Sequence, residues 1–332
     1  MPRRIENRNL NNRQLDRIQA SRDRRQAQRM AQLAGQPLGD EEPGRVVAHF
    51  GLNVEVMDAN GQSSRCAVRE NLKENPICGD QVIWRRSTEG QGVIETILPR
   101  RNLLQRPGFQ GKQQSLAANV DQMIITTTVA HPNPGLIDRY LIAAEMHGIQ
   151  PVVAINKADL EHDKKDLKWL LKSFRFIGYP AFKVSTLDGQ GLEKLAKELT
   201  GKVSIFVGMS GVGKSSLVNH WIPDETIRIG EVNADSGKGR HMTTVARAYP
   251  LANGGTLIDS PGIRSFGLFG IPVQEVPRYF REIAPLIDTC QFTDCGHLNE
   301  PGCKVVRAVK KGYVDMRRFE SMHRIMESMQ EM

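Results

Sequence analysis

The sequence predicts a mostly parallel α/β domain, preceded by a small all-β barrel and followed by a helical, cysteine-bearing module. Three observations carry this reading. Apolar strands and helical segments alternate regularly from Gln122 to the helix beginning at Lys214, the pattern of a parallel sheet covered on both faces. Short apolar runs broken by turn residues fill the stretch from Arg45 to Pro99. Three of the five cysteines fall, with one histidine, inside residues 290–303.

A chain of 332 residues can bury a sizeable core and hold two or three domains. No apolar run approaches the ~18 residues of a membrane span. The N-terminus lacks the apolar stretch of a secretory signal, so a cytoplasmic location is expected. An odd number of cysteines argues against a disulfide framework.

The net charge of +8 is unevenly placed: residues 1–35 hold nine Arg against Glu6, Asp16 and Asp23. Residues 1–38 are read as a basic, unstructured tail. It is either simply solvated or an arm that orders on RNA, since guanidinium groups match phosphate geometry. Residues 39–44 read as a linker opening the barrel segment, 39–107. There Leu52, Val54 and Val56 alternate, Asp58 to Gly61 turn, and runs at Cys66–Val68, Val82–Trp84 and Val93–Leu98 follow. About five strands without a helix suggest an OB-type barrel, a fold that either binds single-stranded nucleic acid or acts as a spacer. The Gly- and Gln-rich residues 108–119 are read as a second linker.

The α/β domain is assigned to residues 120–270. Its strands are expected at Gln122–Val129, Val152–Ile155, Phe182–Val184 and Val203–Val207, and its helices at Leu136–Met146, Lys164–Phe174, Leu192–Leu199 and from Lys214. The last of these strands runs into Gly208-Met209-Ser210-Gly211-Val212-Gly213-Lys214-Ser215-Ser216. That is a phosphate-binding P-loop, G-x-x-x-x-G-K-S, in its confirming context of strand before and helix after. The glycines let backbone N–H groups curl around phosphate oxygens, and the helix start points its positive end at them. Lys214 would reach the β- and γ-phosphates, and the Ser215 hydroxyl would ligate Mg²⁺.

Upstream, Asn156-Lys157-Ala158-Asp159 ends an apolar strand, where α/β sheets bind ligands. Asp159 can accept from the guanine N1–H and 2-amino group, Lys157 can lie over the base, and Asn156 can brace the loop. Guanine presents that donor pair and adenine does not, which disfavours an ATPase. Ser185 and Thr186, at the end of the next strand, match a loop that closes over the guanine O6, or else form a simple turn. Leu257-Ile258-Asp259-Ser260-Pro261-Gly262 is a strand ending in D-x-x-G. Asp259 would hold Mg²⁺ through water, and the Gly262 N–H would sense the γ-phosphate. In the Gly-rich loop between, Thr243 or Thr244 would complete the Mg²⁺ shell. Ile263 stands where many GTPases carry a water-orienting Gln, so His241 is the candidate to position the attacking water.

The guanine motif thus precedes the P-loop, the reverse of the usual order, and the GTP site is circularly permuted. D-x-x-G then falls near the end of the domain, with a short covalent route into the C-terminal module, residues 271–332. There Cys290, Cys295, His297 and Cys303 offer the complement of a closed, structural zinc site, one ion per chain. Cys66 and Cys78 are read as ordinary apolar barrel residues. The final helix, Val314–Met329, is expected to pack on the nucleotide domain.

Taken together, N-K-A-D, G-M-S-G-V-G-K-S-S, G-R-H-x-T-T and D-S-P-G, with a barrel before and a Cys/His cluster behind, resemble the ribosome small-subunit-dependent GTPase A family (RsgA, also called YjeQ). The resemblance runs from about residue 40 to the C-terminus. It implies a circularly permuted P-loop GTPase domain flanked by an OB-type barrel and a zinc module. It also implies a cytoplasmic, late maturation factor of the 30S subunit whose hydrolysis of GTP to GDP and phosphate is stimulated by that subunit. The barrel and the zinc module would contact 16S rRNA; no DNA or membrane partner is expected, and the chain is read as monomeric. Met242 departs from the family's usual Thr, which leaves Thr243 and Thr244 in place. The competing function is a GTP-regulated RNA-binding module in which occupancy, not hydrolysis, is the signal.

Overall fold

The computed structural model describes residues 37–50, 53–69, 72, 74–87, 90–107, 113–161, 163–222, 246–259, 268 and 270–330. The Arg-rich tail through residue 36 and the segment 223–245 lie outside the described residues. The chain divides into two compact units, Met1–Pro99 and Arg100–Met332.

The first unit is a five-stranded closed barrel: β1 (Leu38–Phe50), β2 (Asn53–Met57), β3 (Ser63–Val68), β4 (Gln81–Ser87) and β5 (Gln91–Ile97). β1 pairs with β2, β2 with β3, β3 with β5 in parallel, β5 with β4, and β4 returns to β1. Inward-facing Val46, Val54, Val56, Cys66, Val82, Trp84 and Ile94 fill it. The Trp84 indole lies close against two glycines on the flanking strands, Gly44 and Gly92. A Cβ on Gly44 would lie 2.7 Å from its Nε1, and one on Gly92 would lie 2.5 Å from its Cε3.

Residues 39–44 are not a linker. They are the first half of β1, paired with β4 from Glu41↔Arg85 to Gly44↔Val82. The charges that look solvated in sequence form cross-strand ion pairs, Glu41–Arg85 at 2.7 Å and Glu42–Arg86 at 3.5 Å. Cys66 and Cys78 are both buried in this unit.

The second unit opens with a two-stranded ribbon, β6 (Leu103–Pro107) and β7 (Gln113–Ala118). Residues 103–107 therefore pair away from the barrel, and residues 113–118 are a strand inside the stretch read as a linker. The main sheet follows in the order β10-β9-β8-β11-β13-β12. Its members are β8 (Gln122–Thr128), β9 (Gln150–Asn156), β10 (Ala181–Lys183), β11 (Val203–Val207), β12 (Arg247–Pro250) and β13 (Thr256–Asp259). All neighbours are parallel except β12 and β13. β11 is buried along its whole length, as a central strand covered on both faces must be.

Four helices cover this sheet: α1 (Pro134–Met146), α2 (Lys164–Phe176), α3 (Leu192–Leu199) and α4 (Lys214–Trp221). Helix α1 starts two residues earlier than expected because Asn133 caps it, accepting from the Leu136 N–H, with Pro134 in the first turn. Asp163 caps α2 through the Lys165 and Asp166 N–H groups. Leu192, Leu195 and Leu199 of α3 and Leu217 and Val218 of α4 join Ile124, Val152 and Phe206 in one core.

Beyond the sheet come a 3-10 helix (Val273–Tyr279), α5 (Ala284–Ile287), α6 (Lys304–Lys310) and α7 (Met316–Gln330). Helix α7 packs on α1, as expected for an amphipathic C-terminal helix. A buried ion triad fastens them. Arg318 on α7 meets Glu282 at 2.7 Å and Asp138 of α1 in a closer contact, with its guanidinium 4.7 Å from the Phe280 ring. No helix among the described residues is long and apolar enough to cross a membrane.

Candidate functional site

Parallel pairing brings the carboxyl ends of β8, β9, β10, β11 and β13 to one edge of the sheet. At that edge stand Asn156, Ser185, Gly208 and Asp259, each on or just after a different strand.

The loop after β11 turns through three glycines with positive φ: Gly208 at 139°, Gly211 at 81° and Gly213 at 91°. Two of these positions also have no room for a side chain. A Cβ on Gly208 would sit 2.2 Å from the Thr126 carbonyl oxygen, and one on Gly213 would sit 2.3 Å from Asn156 Nδ2. Helix α4 starts at Gly213 without a side-chain cap, so its first backbone N–H groups face the loop. The Lys214 ammonium donates to the Gly208 and Met209 carbonyls at 2.7 and 2.5 Å, which holds a cation at the mouth of the same loop. Met209, Ser210, Gly211, Ser215 and Ser216 are exposed along the rim, whereas Val212 is buried and anchors it. Such a cradle of donors and one fixed cation suits a polyphosphate.

The loop after β9 is tied to this cradle. Asn156 is buried, and its Nδ2 donates to the Val212 carbonyl at 3.0 Å. Its Oδ1 has no partner among the described residues. Lys157 takes a positive φ of 59°, which swings the chain out toward Asp159. The Ala158 N–H donates to the Val184 carbonyl at 3.0 Å, joining this loop to the one after β10. Ser185 is fully buried, and its hydroxyl donates to Asp159 Oδ1 at 2.6 Å. Ser185 Oγ also accepts from the Leu187 N–H at 3.1 Å. The serine therefore sits behind Asp159 as its support, and Thr186 beside it is half-buried. The Gln190 N–H, donating to Asp188 Oδ1 at 3.0 Å, holds the Asp188 carboxyl below its usual range.

Asp259 ends β13, exposed at the same edge, opposite Arg247 of β12. His241, Thr243, Thr244 and Gly262 lie outside the described residues. Tyr140 of α1 gave no signal in sequence. It is buried, its hydroxyl accepts from the Gly208 backbone, and burial pushes its pKa up.

The second candidate site is the cysteine cluster. The ligand atoms of Cys290, Cys295, His297 and Cys303 all lie within 4.8 Å of one another. His297 Nδ1 is 3.6 Å from Cys290 Sγ and 3.7 Å from Cys303 Sγ, and the two sulfurs are 4.0 Å apart. A tetrahedral zinc with bonds of about 2.3 Å to sulfur and about 2.0 Å to nitrogen sets S···N at about 3.5 Å and S···S at about 3.8 Å, close to the separations among Cys290, His297 and Cys303. Burial pushes the Cys295 thiol up to about 12 and lowers the His297 pKa, so the imidazole is available as a neutral ligand. The His297 carbonyl meets His323 Nε2 of α7 at 3.1 Å, a contact between residues 26 apart that spacing motifs do not reveal. Cys303 caps α6, accepting from the Val306 N–H.

A glycine-lined loop with a fixed cation, hydrogen-bonded to the neighbouring loop at the carboxyl edge of a parallel sheet, defines an α/β protein with a crevice that suits a nucleotide. The sequence profile of the RsgA GTPase family matches residues 97–269. The small ribosomal subunit biogenesis GTPase RsgA of Pseudomonas aeruginosa is 46% identical over 93% of this chain and 91% of its own length. Its counterpart in Pseudomonas putida is 44% identical over 98% of each chain. The crystal structure of YjeQ from Thermotoga maritima superposes with a TM-score of 0.73 at 33% identity, covering 87% of this chain and 98% of its own. YloQ, a circularly permuted GTPase, matches at the same TM-score with 27% identity, over 88% of this chain and 96% of its own. The chain belongs to the RsgA GTPase family.

Proposed function

We infer that this chain is a GTPase of small ribosomal subunit biogenesis, built as a circularly permuted P-loop domain between an OB-type barrel and a zinc module. The bond from Asn156 to Val212 carries the reading, because it makes the guanine loop and the phosphate loop one crevice. In this reading Asp159, steadied by Ser185, selects guanine, and Lys157 covers the base. Residues 208–216 wrap the phosphates and Lys214 neutralises them. Ser215, exposed at the start of α4, and Asp259, exposed at the end of the adjacent parallel strand, suit a Mg²⁺ ion. That ion would supply charge neutralisation at the β- and γ-oxygens. Thr243 or Thr244 would complete its shell, His241 would position water, and the Gly262 N–H would sense the γ-phosphate.

Zinc would staple residues 290–303, a segment too short to form its own core. The GTPase domain spans 120–270 and the zinc module 271–332 in this proposal. A monomer would dock on 16S rRNA through the barrel and the zinc module, and leave once GTP is spent. Sedimentation of the full chain with 30S subunits tests the docking half of this account. A non-hydrolysable GTP analogue should carry it into the 30S pellet and GDP should not. Equal pelleting with both would contradict a nucleotide-timed factor.

A further inference from the structure

Away from the nucleotide edge, α2 meets the turn between α6 and α7 along a groove of about 770 Å³. Three large apolar side chains on its walls stay in solvent: Phe176 at 80%, Tyr313 at 70% and Met316 at 53% exposure. A second depression of about 390 Å³ shares Lys172 and Arg175 with it and runs on to Lys164, Lys168 and Lys183. None of the described residues lining that depression is acidic. Lys164, Lys168, Lys172 and Arg175 lie at helical spacing on one stripe of α2, about 16 Å long at ~1.5 Å per residue. The two carboxylates in the groove are already engaged: Glu282 with Arg318 at 2.7 Å, and Asp315 with Trp169 Nε1 at 3.1 Å. The surface therefore offers a line of cations that ends at two exposed rings.

We propose that this groove binds a segment of single-stranded RNA, with phosphates tracking the α2 lysines and bases stacking on Phe176 and Tyr313. The charge fixes the sign of the occupant and excludes the chain's own Arg-rich N-terminal segment. The rings separate RNA from a merely acidic partner, because every unpaired base has a face to stack while a carboxylate side chain has none. The basic stripe supplies the sequence-independent attraction. The proposal rests on the reading of the chain as a ribosome-assembly GTPase, which brings it against RNA.

The test uses the full chain and a single-stranded RNA of about a dozen nucleotides carrying 5-iodouridine, whose ultraviolet adducts form on stacked aromatic rings. Adducts should map to the peptides containing Phe176 and Tyr313 and disappear in F176A/Y313A. F176W/Y313F should retain them. K168A/K172A should flatten the salt dependence of RNA binding, lowering the slope by about 1.4 for two lost phosphate contacts. Basal GTP hydrolysis should be unchanged in all three variants, which reports an intact fold. Adducts only elsewhere in the chain would overturn the proposal. So would displacement from the groove by oligoglutamate but not by unlabelled RNA, which would assign the surface to an acidic protein. Loss of nucleotide-dependent 30S sedimentation in the wild-type chain would instead remove the ribosomal reading, so the two failures are distinguishable.

Discussion

The side-chain amide of Asn156 donates to the Val212 carbonyl at 3.0 Å, across the strand that separates their parent strands β9 and β11. The two loops are far apart in sequence and inverted in order. One buried hydrogen bond, with a Gly213 that leaves room for it, ties the two loops together. Inside a protein such a bond is costly to leave unmade, at roughly 1–3 kcal/mol for the orphaned group.

Gly208→Ala and Gly211→Ala should separate steric from conformational cost. At Gly208 the new methyl would meet the Thr126 carbonyl oxygen at 2.2 Å, a backbone atom of a central strand that cannot retreat. At Gly211 a Cβ meets nothing within 4 Å, and only the positive φ of 81° is penalised, by about 1 kcal/mol. Calorimetric titration with GDP should show G208A without measurable binding and G211A weakened by about tenfold or less.

Asp159→Asn should weaken GTP binding by about 10- to 100-fold, the worth of a charge-assisted bond, and shift preference toward xanthosine triphosphate. The fold should survive, because an Asn carbonyl can still accept from Ser185. Competition binding with both nucleotides checks this, and unchanged selectivity would remove Asp159 from the base site.

Arg318→Met should lower stability by about 3–5 kcal/mol at neutral pH, since Asp138 and Glu282 would be left buried without their cation. The penalty should shrink in acid. Burial already raises the Asp138 pKa, against the opposing pull of Arg318. Without the guanidinium that pull is gone and the pKa rises further. A carboxyl whose folded pKa is raised stabilises the fold while protonated and loses this as pH climbs through the raised value. Urea melts at pH 5 and pH 8 should therefore show the larger deficit at pH 8.

Metal analysis of the purified chain should give about one zinc per molecule, bound by Cys290, Cys295, His297 and Cys303. Cys303→Ser should lose the ion and lower Tm, because Cys303 also caps α6 and the His297 carbonyl contacts His323 of α7. Nucleotide affinity should change little, since the cradle lies on the sheet edge. Zinc far below one per chain would refute the assignment.

Strong local patterns were readable from the sequence. The strand Val203–Val207 and the helix Leu192–Leu199 match their expected bounds to the residue, because continuous apolar runs and glycine punctuation are local signals. The Cys/His cluster was readable for the same reason. What escaped depends on partners distant in sequence. Residues 39–44 look like a linker until Arg85 and Arg86 pair with Glu41 and Glu42. Gln113–Ala118 looks like a connection until Leu103–Pro107 lies beside it. Nothing near Arg318 announces that Asp138 awaits it 180 residues upstream. Nor does anything near Ser185 announce that its buried hydroxyl donates to Asp159, 26 residues upstream.

A crevice joined at Asn156 and Val212 should hydrolyse GTP faster once the small subunit is bound to it. Steady-state phosphate release from GTP by the full chain, with and without purified 30S subunits, tests it most directly. A slow basal rate should rise by orders of magnitude with 30S subunits, and Asp159→Asn should shift that stimulation to xanthosine triphosphate. A rate indifferent to 30S subunits would contradict it.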